Sequence, residues 1–145
     1  MNGIWPALIG AAIMLLPVSA CNRYQVIPED LRNQVNRTVT FEEIKASPTQ
    51  HRGELVVWGG EVLSATRLED KTRIEVLQLP LSDDLMPTTQ RTESQGRFYA
   101  FDSGQEIIDP AVLKEGTPVT VIGEIQPSTQ GAIGDRDYQY PTLAI

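Results

Sequence analysis

Apolar positions follow three different rhythms along the chain. Residues 1–20 carry no charged side chain and hold an apolar stretch over 7–16. Residues 22–39 mix Asn, Arg, Gln and Glu with scattered apolar positions, as expected of a tether that partly docks on the domain it carries. Within them Ile27-Pro28-Glu29-Asp30-Leu31 predicts a short helix start, with proline near the first helical position and two acids favoured by the helix dipole. Thr40 opens a clearer helix. Its spacing to Glu43 is that of a capping box, Phe41 and Ile44 lie one turn apart, and Pro48 stops the helix soon after Ala46.

From Gly53 onward the rhythm shortens to that of strands. A first strand over 55–68 is rich in Val, Leu and Trp, and its internal Gly59-Gly60 pair marks a bulge or sharp bend. A turn at 69–71 leads into a second strand over 72–79, where Ile74, Val76 and Gln78 share one face and Arg73, Glu75 and Leu77 the other. Residues 80–96 are polar and proline-containing, a long loop; 97–101 form a third strand. Asp109 and Pro110 predict a short capped helix that ends before Gly116. Val119, Val121, Gly123 and Ile125 alternate in a fourth strand over 117–125, and 126–137 is a connection bearing Gly and Pro. A fifth strand covers 138–145, with Pro141 suggesting a sheet edge. The expected fold is mainly β, a small five-stranded OB-fold-like barrel with one or two short helices. An open antiparallel sheet covered by the amino-terminal helix is the alternative.

Composition narrows the chemistry. The 145 residues suit one modest domain. A net charge of −7 argues against nucleic acid as a partner, because phosphate binding relies on clustered Lys and Arg. The single cysteine, Cys21, rules out an intramolecular disulfide, and the single histidine, His51, rules out a histidine-based metal cluster. His51 reads as a surface residue in the turn before Gly53. Asp83-Asp84 and Asp135 with Asp137 lack the spacing of a calcium loop and read as solvated acids. No nucleophile–base pair, metal site or cofactor loop can be assembled, so neither enzyme nor cofactor is expected. The candidate ligand-binding residues are the aromatics Trp58, Tyr99, Tyr138 and Tyr140, since rings on the open face of such a barrel can stack on sugars. Adjacent Phe98 and Tyr99 must point to opposite faces. Arg73 and Glu75 share a face and read as an exposed ion-paired surface.

The first twenty residues have the anatomy of a signal peptide, with Pro6, Gly10 and Pro17 interrupting a span too short for a membrane helix. Val18, Ser19 and Ala20 before Cys21 resemble the lipobox of bacterial lipoproteins, with signal cleavage between Ala20 and Cys21 and lipidation of the Cys21 thiol. The start lacks the Lys or Arg usual in such signals. Asn22, rather than Asp, stands after the cysteine, which the resemblance links to outer-membrane delivery. The chain also resembles the Slp family of outer-membrane lipoproteins, the starvation-inducible group of Gram-negative bacteria. The resemblance is carried by Cys21-Asn22, Ile27-Pro28-Glu29, the Gly59-Gly60 strand, the run 72–81, Gly96-Arg97-Phe98, Asp109-Pro110, 119–123 and 138–141. It implies a non-enzymatic protein, anchored in the outer membrane through acyl chains, facing the periplasm, with a structural or stress-related envelope role. A periplasmic binding module for glycan, peptidoglycan or another envelope component is the alternative. The expected organisation is a signal peptide over 1–20, a lipidated tether over 21–39 and the β-domain over 40–145.

Overall fold

Thr40 folds the chain into its one α-helix among the residues described, which are 26–145 of this computed structural model. The Thr40 hydroxyl accepts the Glu43 N–H at 3.3 Å, and the Glu43 carboxylate accepts the Thr40 N–H at 2.7 Å, closing the capping box. Helix α1 (Phe41–Ala46) buries Phe41 and Ile44 against the sheet. The Thr40 N–H and hydroxyl hold the Glu43 carboxyl below the ordinary range, so the ionised form favours the folded helix start. That contribution is present above the ordinary carboxyl pKa and disappears as pH falls through the lowered one. Thr40→Ala is expected to cost about 1 kcal/mol, measured by urea unfolding at neutral pH, and less of that difference should survive in acid.

Ahead of Thr40, residues 28–34 form consecutive turns rather than the expected helix. Leu31 N–H donates to Pro28 O at 3.1 Å and Gln34 N–H to Leu31 O at 2.9 Å. The Gln34 side-chain amide takes Asp30 O at 2.7 Å, the acceptor a helix would have given to the Gln34 backbone. The chain then straightens into β1 (Val35–Asn36), which runs parallel to the start of β2 (Leu55–Arg67). Asn36 donates to Glu54 at 2.7 Å, and Ile27 is buried.

Five strands close on themselves. β2 pairs with β3 (Thr72–Leu79), β3 with β4 (Arg97–Asp102), β4 with β6 (Arg136–Ala144), β6 with β5 (Pro118–Ile133), and β5 with β2 again. All pairs are antiparallel except β4 with β6. A 3-10 turn at Pro110–Val112, capped by the Asp109 carboxylate on Ala111 N–H at 2.9 Å, joins β4 to β5. The result is the expected OB-fold-like barrel, with β1 added alongside.

The glycine pair lies where β2 changes partner: the strand pairs with β5 over Leu55–Glu61 and with β3 from Gly59 onward. The pairing is regular through both glycines; the bulge falls at Leu63 instead, between Val62 and Ser64. A Cβ on Gly60 would stand 2.4 Å from Leu77 O and one on Gly59 2.7 Å from Leu79 O, so the pair serves close approach of β3.

The segment 126–137 is not a connection. β5 runs through it to Ile133, and Gly134 and Asp135 alone make the turn into β6, with Gly134 at φ 59°. Pro127 sits in the irregularity between Gln126 and Thr129. Pro141 is likewise no edge marker, because β6 lies between β4 and β5 and Pro141 is fully buried. It faces the β5 irregularity and precedes Thr142, where pairing with β4 begins, so neither ladder calls on its missing N–H. Inside the ring Val56, Val62, Ile74, Val76, Phe98, Ala100, Ile125 and Leu143 form the core, with α1 closing it through Phe41 and Ile44.

Candidate functional site

The pleat decides which aromatics are available. Trp58 is in phase with Val56 and Val62 and lies inside the barrel, 5% exposed, its ring centroid 5.0 Å from Phe41 and 5.1 Å from Phe98. It therefore belongs to the core rather than to an open face. Phe98 is interior and Tyr99 exterior, as adjacent residues of one strand must be.

Tyr99, Tyr138 and Tyr140 meet on the outer face of β3, β4 and β6. Tyr99 and Tyr140 are stacked with centroids 3.9 Å apart, and Tyr138 meets Tyr140 edge-on at 4.7 Å. Gly131 of β5 makes room for the pair, since a Cβ there would lie 2.7 Å from the Tyr140 ring. The Tyr138 hydroxyl accepts the Arg97 N–H at 3.0 Å and donates to Arg97 O at 3.3 Å, fastening β6 to the start of β4.

Charge on this face is arranged differently from the expected Arg73–Glu75 pair. Glu75 instead accepts Arg97 Nη1 at 2.9 Å and lies 3.1 Å from the Tyr140 hydroxyl. Arg73, directly across from Phe101, places its guanidinium 5.1 Å from the Tyr99 ring centre. Lys71 stands 5.2 Å over Phe101 and Lys45 of α1 5.4 Å over Tyr138. Lys45, Lys71, Arg73, Arg97, Glu75 and Phe101 complete the face. Strand alternation signalled Arg73 and Glu75; the others depend on which strands become neighbours.

Burial raises the Tyr140 hydroxyl pKa far above the ordinary 10.0, with Tyr99 and the Glu75 carboxylate adding to it. The neutral phenol is the form that fits the folded state. Its contribution to stability is complete below the unfolded tyrosine pKa near 10 and is lost as pH rises past it. A tyrosinate absorbance titration of the native protein should therefore show a step, that of Tyr140, well above the ordinary tyrosine range. Tyr140→Phe should remove that lagging step.

A second feature lies on the other side of the ring. The loop between β3 and β4 is strapped to the barrel by an Arg91–Glu61 ion pair and by the Thr120 hydroxyl donating to Leu85 O at 2.6 Å. Leu85 is held at φ 60°, a left-handed conformation unusual for a branched residue. The loop leaves a groove of about 470 Å³ lined by Leu81, Met86, Pro87 and Glu93 among others, with Met86 57% exposed. His51 lies 3.0 Å from Glu54 in the turn before Gly53. Asp83, Asp84, Asp135 and Asp137 are exposed. Among the described residues no three acidic, His or Cys side chains gather as a metal site would require, and no helix is long and apolar enough to cross a membrane. Ala20 and Cys21 lie outside the described residues.

Known proteins supply the remaining context. The chain is 30% identical over 116 residues to an uncharacterised protein of Haemophilus influenzae, covering 80% of this chain and 62% of that one. It is also 30% identical over 102 residues to the uncharacterised lipoprotein YeaY of Escherichia coli, covering 70% of this chain and 51% of that one. The chain thus spans less than two thirds of the length of either relative. No solved structure matches it. Residues 18–145 match the model of the outer membrane lipoprotein Slp family, and the chain belongs to that family, an envelope lipoprotein associated with the outer membrane.

Proposed function

We propose that Cys21 is the acylated anchor, that residues 1–20 are removed on export, and that the barrel is presented to the periplasm in a non-enzymatic role in envelope maintenance or stress. The observation that carries this reading is the Val18-Ser19-Ala20-Cys21 run, placed where the family match begins. Anchoring by two or three acyl chains holds a protein stably at a bilayer without any spanning element. The proposed division places the tether at 21–39 and the β-domain at 40–145.

Metabolic labelling with an alkynyl fatty acid tests the anchor. The wild-type protein should incorporate label, and the label should resist hydroxylamine in the fraction carried on the amino group freed by cleavage. Absence of incorporation into the processed protein would overturn the reading.

A glycan-binding module through the aromatic face is the second reading. It rests on Tyr138, half-buried at the end of the face, because Tyr99 and Tyr140 cover each other and Trp58 is interior. Retention on peptidoglycan sacculi, lost in Tyr138→Ala and kept in Tyr138→Phe, is its expected signature.

A further inference from the structure

We infer that the outer face of β3, β4 and β6 is a docking surface for an anionic lipid bilayer, and that the tethered barrel lies on the membrane through it. This rests on the anchorage at Cys21 proposed above.

The first support is reach. Six residues lead from Cys21 to Ile27, which is already buried on the barrel, and six residues span at most about 20 Å. A barrel on so short a lead must stay beside the bilayer. From Ile27 the chain runs through β1 into α1, whose Lys45 stands over Tyr138 on this face.

The second support is charge. The chain carries −7, so an anionic surface repels most of its exterior. The β3–β4–β6 face is the exception. Lys45, Lys71, Arg73 and Arg97 gather there against Glu75, which Arg97 already neutralises, with Glu69 and Asp70 in the turn at its rim. Among the described residues Lys71 and Arg73 have no carboxylate partner; each instead stands over a ring. Cations backed by Tyr and Phe suit the headgroup region of a bilayer, where amphipathic rings and basic side chains settle together. A sugar finds less here, since the stacked Tyr99 and Tyr140 offer it no open ring.

The test uses the full-length acylated protein in vesicles. Acylation occupies the Cys21 thiol, leaving an introduced cysteine as the one free thiol. Thr66, exposed and directly across from Arg73 on this face, and Asp83, exposed in the strapped loop, are replaced by cysteine one at a time and labelled with a polarity-sensitive fluorophore. In vesicles of phosphatidylcholine with phosphatidylglycerol, the Thr66→Cys label should shift to the blue and be quenched from the headgroups. It should return to its aqueous signal in pure phosphatidylcholine or in high salt, while the Asp83→Cys label stays aqueous throughout. Adding Lys71→Ala and Arg73→Ala should weaken the docked orientation by roughly 25-fold, about fivefold for each cation. A Thr66→Cys label that stays aqueous, or an Asp83→Cys label that reports lipid, overturns the proposal. So does sacculus binding that needs Lys71 and Arg73 without lipid contact. Protein that fails to float even with neutral vesicles overturns the anchorage and this inference together; protein that floats with the Thr66→Cys label in water overturns the inference alone.

Discussion

Cys21→Ser is expected to remove the protein from the outer-membrane fraction and to leave it as an unacylated precursor that keeps residues 1–20. The serine hydroxyl is a far poorer nucleophile than a thiolate, so no diacylglyceryl group is accepted, and cleavage before residue 21 depends on that modification. Each methylene buried in the bilayer contributes about 0.8 kcal/mol, and a single chain holds a protein only marginally. Loss of two or three chains therefore removes the outer-membrane anchor altogether rather than weakening it by a modest factor. The barrel itself should persist, because the core residues of the described region run from Ile27 to Leu143. Fractionation with an antibody against the barrel gives both readings at once. A Cys21→Ser protein of mature size that still sediments with the outer membrane would refute the assignment. Asn22→Asp tests the sorting expectation in an enteric host: acylation should continue while the protein shifts to the inner membrane.

Phe98→Ala is expected to have the largest effect on the fold. Phe98 is fully buried and touches the rings of both Trp58 and Phe41, at centroid distances of 5.1 Å and 6.2 Å. It thus joins the barrel interior to the helix that closes it. Truncating such a ring costs about 3–5 kcal/mol, a large part of the roughly 5–15 kcal/mol available to a small domain. The melting temperature, monitored by the near-ultraviolet dichroism of the aromatic cluster, should fall by on the order of 10 °C. Met86→Ala, on an exposed side chain of the strapped loop, should change stability by no more than about 0.5 kcal/mol. Equal effects at the two positions would show that the core has been misplaced.

The strand most legible in the sequence is β3. Ile74 and Val76 are buried and alternate with half-buried Arg73, Glu75 and Leu77, because one side faces the core and the other does not. The capping box at Thr40 is equally plain, since its chemistry is local. The β5–β6 hairpin is hidden by the residues that make it possible. Pro127, Gly131, Gly134 and Pro141 look like loop composition, yet each meets a particular demand: an irregularity, a ring lying over the backbone, a two-residue turn and an unpaired N–H. The Gly134-Asp135 pair is the available signal, being a recognised hairpin dipeptide.

The candidate face is legible only in part. That Tyr99 turns away from Phe98 is a consequence of strand geometry alone, and the phase of Val56, Trp58 and Val62 could have placed the indole inside. What periodicity does not carry is which strands lie side by side. Arg73 stands over Tyr99 and Glu75 binds Arg97 because β3 pairs with β4, and Tyr140 reaches Tyr99 because β6 runs parallel to β4. Those are facts of ring closure, assembled from residues far apart in the chain.

That closure also sets the order in which the barrel can form. β2, β3 and β4 are consecutive and can form a sheet from local pairings, but the contact of Leu55 with Glu124 spans nearly half the chain. The partner of β2 is thus among the later segments to be synthesised. Pairings of such long sequence separation pay loop-closure entropy before they are rewarded, which slows folding. On the export route proposed above, a chain that cannot complete its ring until β5 arrives would cross the inner membrane before closure and would become a barrel only on the far side.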